Sequence, residues 1–158
     1  MTHFYSLTLE PRLTIQNFFG GNFTELMEMT GEYAQMRKAN LLVSLNAYAL
    51  YWAWRNPVFR ESLAQADMVM ADGVSIVHMG RLLGFPVREQ LAGIEVLNAF
   101  LGLCGQRQWG VSLVGLRPEI LKQVAKKYKD RYPGLSITAV AWQDGGDFAR
   151  ELGRAIRQ

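Results

Sequence analysis

Asp72 and Gly73 stand directly after the apolar run Met68-Val69-Met70-Ala71, in the stretch ADMVMADGVSIVHMGRLLG. An apolar periodic pattern begins at the next residue. A carboxylate at the end of a short buried strand has two uses. It can cap the helix that follows, for which aspartate is among the preferred residues. It can also take a proton from a hydroxyl in a crevice, as a general base. The sequence leaves both open, and the two are compatible. In an open parallel sheet, ligands bind outside the carboxyl ends of the strands, so the other strand tips join the shortlist. These are Ser44-Leu45-Asn46, Gly115, and Gln143-Asp144-Gly145-Gly146. Asn46 serves as a helix cap or as a hydrogen-bond partner for a sugar or base. Gly115, followed by Pro118, would let a helix N-terminus meet a phosphate.

Other chemistries find little support. There is no G-x-G-x-x-G, no Walker loop and no G-x-S-x-G. His3 lies in the N-terminal segment, and His78 has no i+4 His or Glu partner, so no metal site is expected. The single cysteine, Cys104, falls in an apolar helical stripe and reads as a core residue. With one cysteine no disulfide framework can form, which points to a reducing compartment.

The elements that would position these residues follow from periodicity. Short apolar runs at 41–45, 68–71, 110–114 and 135–141 read as strands. Between them, helical spacing covers Glu25 to Lys38, Ala47 to Trp54, Pro57 to Gln65, Val74 to Leu83, Val96 to Cys104 and a segment opening at Pro118. Asn56-Pro57 is a cap followed by proline at the first helical position. Strands alternating with helices predict βαβ units: an α/β, Rossmann-like open parallel sheet with helices on both faces. We read residues 1–158 as one domain, with 1–22 an irregular N-terminal segment.

The chain has 158 residues, 49% of them hydrophobic and 20% charged, with a net charge of +3. That is enough apolar content for a core, and the mild basic bias suits an anionic ligand or a membrane surface. Nothing marks a nucleic-acid interface. The N-terminus lacks a signal-peptide pattern, and LLVSLNAYALYWAW is too short to span a bilayer. The expected location is cytoplasmic, with a peripheral place on the inner face of the membrane left open. Tyr48, Tyr51, Trp52 and Trp54 crowd one helix. They read first as core plus a covered surface, and second as an interfacial membrane patch.

Taken together, VSLNAYAL, NPVFRESLAQADMVMADGVSIVHMGRLLG, LAG, VSLVGLRPEI and RYPGLSI resemble the WecG/TagA/CpsF family of glycosyltransferases. That family typically shows a T-x-N strand, a D-P-x-x-R-x-x-x-x-x-A-D helix and an A/P-D-G-x-G tip. An R-x-x-G-x-D element, an F-L-x-G-G strand end and a Y-P-x-L strand entry follow. The resemblance covers about residues 38 to 150, and A-D-x-V-x-A-D-G is its most specific part.

The resemblance implies inverting transfer of a sugar, of N-acetylmannosamine type or another hexose, from a UDP-sugar to a polyprenyl-diphosphate-linked acceptor. It implies no metal or other cofactor, and is compatible with a homo-oligomer. Asp72 would be the base, with Gly73 beside it in the same tip. Ser44 stands for the family's Thr, Asn46 matches its Asn, and both would line the donor or acceptor site. Gly115 matches the first glycine of the nucleotide-side strand end, and Asp144 lies at the last tip. In QLAGIE, Gly93 matches, Gln90 replaces Arg and Glu95 replaces Asp. Arg88 could supply the lost charge, which Gln cannot. Ser75 and Leu116 replace two further glycines. The family's later strand with G-x-P-K-Q-E and its basic C-terminal segment have no counterpart here. The alternative expectation is therefore a truncated, non-catalytic nucleotide- or partner-binding α/β domain.

Overall fold

The structure, a computed structural model, describes residues 3–10, 13–36, 38–115 and 117–141. The chain divides into two compact units, Met1–Leu97 and Asn98–Gln158. The first unit is built on a four-stranded sheet of β1 (Phe4–Glu10), β2 (Leu13–Phe19), β3 (Leu42–Leu45) and β4 (Met68–Ala71), in the order β1-β2-β4-β3. β3 runs parallel to β4 with Ser44 opposite Met70 and Leu45 opposite Ala71. β2 is parallel to β4 on its other side, with Phe18 opposite Val69. Only β1 is antiparallel.

The N-terminal segment is therefore not irregular, and that expectation is corrected. Residues 4–10 and 13–19 form a β-hairpin whose second strand extends the sheet. Leu7, Ile15 and Phe18 are buried on one face and Phe19 on the other, which fixes the hairpin to the core. Pairing with β4 also satisfies backbone groups that a lone hairpin would leave exposed.

β4 is buried along its whole length, as a central strand covered on both faces must be. Its residues alternate between two cores. Val69 and Ala71 pack with α2 (Ala47–Arg55), α3 (Pro57–Ala64) and α4 (Val74–Leu82) through Ala53, Leu63, Ile76 and Val77. Met68 and Met70 face α1 (Phe23–Tyr33) and the start of α5 (Gly93–Arg107) through Leu26 and Val96. The expected cap at Asn56 is present: its side chain accepts from the Phe59 N–H, and Pro57 opens α3.

The second unit holds a separate parallel pair, β5 (Gly110–Gly115) and β6 (Ser136–Ala141), joined through α6 (Pro118–Arg131). Its core gathers Leu101, Cys104, Ala125, Tyr128, Leu135 and Ile137. Burial pushes the Cys104 thiol up, which makes it an inert packing residue, as its stripe position indicates. The α/β class and mostly parallel strands agree with the sequence. The four runs read as strands all form, but they divide between two sheets.

Candidate functional site

β3 and β4 end side by side, and their last residues bring together two of the shortlisted side chains. The Asp72 N–H donates to the Leu45 carbonyl at 2.9 Å, continuing the ladder one residue past β4. This holds the Asp72 side chain beside Ser44, whose hydroxyl donates to Asp72 Oδ2 at 2.6 Å. Both residues are half-buried. One carboxylate oxygen is thus held by Ser44, and among the described residues no donor occupies Oδ1.

The capping alternative for Asp72 does not hold. The N-cap of α4 is Gly73, with φ 94° and ψ 144°, and no side chain caps that helix. A positive φ with extended ψ is a conformation that only glycine adopts without strain. Gly73 therefore turns the chain sharply from strand to helix, and Asp72 stays beside Ser44 instead of folding over the helix end.

Gly93 closes the other side of the pair. A Cβ on Gly93 would lie 2.8 Å from Ser44 Oγ and 3.3 Å from Asp72 Oδ2. The first residue of α5 consequently packs directly on the two side chains. The preceding segment is pinned to the sheet, since the Leu91 N–H donates to the Ala71 carbonyl at 2.8 Å. Arg81 holds the same loop from α4, donating to the Val87 and Arg88 carbonyls at 2.9 and 2.6 Å. This positioning role for Arg81 had no signal in the sequence, because it depends on a loop fold that no periodicity describes.

Other shortlisted residues have local partners. Asn46 is exposed and caps α2, its Oδ1 accepting from the Ala49 N–H at 2.9 Å. Arg88, the cation nearest in sequence to the missing arginine, has a partner of its own in this structure. Its Nη1 is paired with Glu25 at 2.9 and 3.2 Å to the two carboxylate oxygens. Glu25 completes a capping box with Asn22 at the start of α1, and the Glu89 carboxylate accepts from the Phe23 N–H there. Gln90 and Glu95 are exposed, Glu95 in the first turn of α5 where an acid suits the helix dipole. Gly115 ends β5, paired with Ala141, in the second unit. Asp144 lies outside the described residues. Among the described residues, no group of three or more His, Cys, Asp or Glu side chains could hold a metal ion.

The Asn22 backbone N–H, with Arg88 and His3 nearby, holds the Glu25 carboxyl below its ordinary value. The contact therefore adds stability above the ordinary carboxylate range and loses it as pH falls through the lowered value. Glu25→Gln should lower the urea midpoint at neutral pH, and the gap from the parent should close in acid. A gap of constant size at every pH would show that charge plays no part.

A family model for the glycosyl transferase WecG/TagA/CpsF family matches residues 13–158. Two curated relatives are named N-acetylglucosaminyldiphosphoundecaprenol N-acetyl-beta-D-mannosaminyltransferase. That of Bacillus spizizenii (strain ATCC 23059 / NRRL B-14472 / W23) is 25% identical over 124 residues, covering 78% of this chain and 47% of the relative. That of Bacillus subtilis (strain 168) is 22% identical over 148 residues, covering 90% of this chain and 58% of the relative. The chain thus spans about half the length of the curated relatives it matches. The matched region takes in β2, the Ser44–Asp72 pair, Gly73 and Gly93, and on this evidence the chain belongs to the WecG/TagA/CpsF glycosyl transferase family.

Proposed function

We propose that this chain acts as an inverting glycosyltransferase in which Asp72 activates the acceptor. The donor is a UDP-sugar of N-acetylmannosamine or another hexose type, and the acceptor is a sugar linked to polyprenyl diphosphate. The observation that carries the reading is the Ser44–Asp72 pair at the joined carboxyl ends of β3 and β4. Ser44 orients the carboxylate by holding Oδ2, and Oδ1 accepts the proton of the acceptor hydroxyl. The freed oxygen lone pair attacks the anomeric carbon, and the bond to the UDP oxygen breaks on the opposite face. Configuration inverts, and UDP leaves as the anion.

Family membership and the relatives' names support the reaction class and the lipid-linked acceptor. The Asn46 amide and the exposed Gln90 side chain are the neighbouring neutral groups available to sugar hydroxyls or a diphosphate. Gly115 and Asp144 are proposed to serve the nucleotide side. The polyprenyl acceptor is proposed to be met at the membrane surface; no described helix is long and apolar enough to cross a membrane.

The test is UDP release from UDP-N-acetylmannosamine with and without N-acetylglucosamine linked to polyprenyl diphosphate. Release should require the acceptor, and calorimetry should show UDP binding more tightly than AMP or NAD. Acceptor-independent release, or equal affinity for the three nucleotides, would overturn the reading.

A further inference from the structure

α2 is apolar on both of its sides, but only one side is covered. Ala53 is buried, and Ala49 and Leu50 pack against the sheet core. On the outward side, Tyr48, Tyr51, Trp52 and Trp54 are 70, 51, 40 and 50% exposed. Tyr48, Tyr51, Trp52 and Arg55 follow helical i, i+3, i+4, i+7 spacing, with Trp54 flanking them. The rings touch one another. Tyr48 and Tyr51 each meet Trp52 edge-on at 6.2 Å, and Tyr51 meets Trp54 at 6.4 Å. Arg55 sits over Trp54 at 5.7 Å from the ring centre. A helix that is apolar all round is ordinarily enclosed, so a free solvent face of this composition calls for a covering surface.

We infer that the outward face of α2 docks the chain on an anionic lipid bilayer. The residue types suit a bilayer surface, and the charge favours it over a protein partner. The exposed cluster is made of tyrosine and tryptophan, whose rings are apolar and whose tips need water, the combination enriched at headgroup level. The charge agrees. α2 carries no acid, Arg55 is in its last turn, and Arg60 from α3 donates to the Ala53 and Trp54 carbonyls at the same end. Glu61 is the acid of the neighbouring helix, one residue beyond. At nine residues α2 can only lie in the interface, not cross it.

The location fits the proposed reaction, and in this respect the inference rests on that reading. Asn46, the cap of α2, is two residues from Ser44. The helix therefore leaves the sheet at the edge that carries Asp72, and a lipid-linked acceptor would arrive at the same edge.

The test uses the full chain with vesicles of phosphatidylglycerol and phosphatidylethanolamine, and with vesicles of phosphatidylcholine alone. The chain should sediment with the anionic vesicles and less with the neutral ones. Bilayers of lipids brominated near the headgroup should quench its tryptophan fluorescence. The double variant Trp52→Gln/Trp54→Gln replaces exposed rings only. It should keep the parent's circular dichroism and lose roughly tenfold or more of its vesicle partitioning, since burying one large apolar side chain is worth about a factor of ten. Asp72→Asn should bind vesicles as the parent does, which separates this inference from the catalytic one. Failure of the parent to bind any vesicle, or unchanged binding by the double variant, would overturn it. So would a lipid-free dimer that the double variant dissolves, because the face would then be a contact between copies.

Discussion

Asp72→Asn is expected to lower acceptor-dependent transfer by roughly 10²- to 10⁴-fold, the range associated with a positioned proton acceptor. The substitution keeps side-chain size. The amide oxygen can still accept from the Ser44 hydroxyl, and the backbone bond from Asp72 N–H to the Leu45 carbonyl is untouched. No helix cap is lost either, because Gly73 occupies the cap of α4. The stability change should therefore stay within about 1 kcal/mol, the difference between a charge-assisted and a neutral hydrogen bond. Asp67 provides the matching control at the other end of the same strand. Its carboxylate accepts from the Leu41 N–H at 2.9 Å and from Lys38 at 3.0 Å, and these contacts hold its carboxyl below the ordinary value. Asp67→Asn should leave transfer intact while weakening the fold. Steady-state rates and thermal midpoints for both variants decide the matter. Equal rates for Asp72→Asn and the parent, at matched midpoint, would end the claim that Asp72 is a base.

Much of this site was legible because its signals are local. MVMA followed by Asp-Gly and a 3.6-residue pattern specifies a strand, a tight turn and a helix, and β4 and α4 form there. NPVF likewise specifies a capped helix, and LLVSL a strand. The role of Asp72 was ambiguous for a physical reason. Whether Asp72 caps the helix depends on which residue adopts the non-helical turn, and in the structure Gly73 takes that place with its positive φ.

The hairpin escaped notice although FYSLTLE and LTIQNFF both carry polar residues at alternate positions and flank a proline. Its alternation is blurred by paired aromatics, Phe4-Tyr5 and Phe18-Phe19, and by register shifts between Tyr5 and Leu7 and between Thr8 and Glu10. The ion pair of Arg88 was not legible because a cation carries no sequence mark of its partner. Glu25, with which it pairs, lies 63 residues away. Gly93 was picked out by family resemblance alone. The reason for a glycine there is steric and emerges only once α5 meets the ends of β3 and β4.

That steric reason gives the second large effect. Gly93→Ala adds one methyl group at a point 2.8 Å from Ser44 Oγ, 3.3 Å from Asp72 Oδ2 and 3.4 Å from Ser44 Cβ. The shortest of these distances is below any normal carbon–oxygen contact, so the Ser44 hydroxyl must swing away or α5 must lift. Either movement breaks the 2.6 Å bond that orients the carboxylate. Transfer should fall by roughly 10²-fold, since a misplacement of about 1 Å in a positioned group costs that much. Stability responds through two opposed terms. Alanine in place of glycine favours the helix by up to about 1 kcal/mol, and overpacking costs about 1–3 kcal/mol. The net loss should lie between zero and about 3 kcal/mol, less than the stability of an ordinary domain. Ser44→Ala removes the atom that the new methyl strikes and leaves contacts of 3.3 and 3.4 Å, which a shift of a few tenths of an ångström relieves. In the double variant Ser44→Ala/Gly93→Ala, the stability cost of the alanine at 93 should largely vanish, while transfer stays low because nothing orients Asp72. A double-mutant cycle read in both urea midpoint and transfer rate would show this as strong non-additivity in stability. Additive stabilities would place residue 93 outside contact with Ser44. Full transfer by Gly93→Ala would show that the carboxylate does not depend on the serine for its orientation.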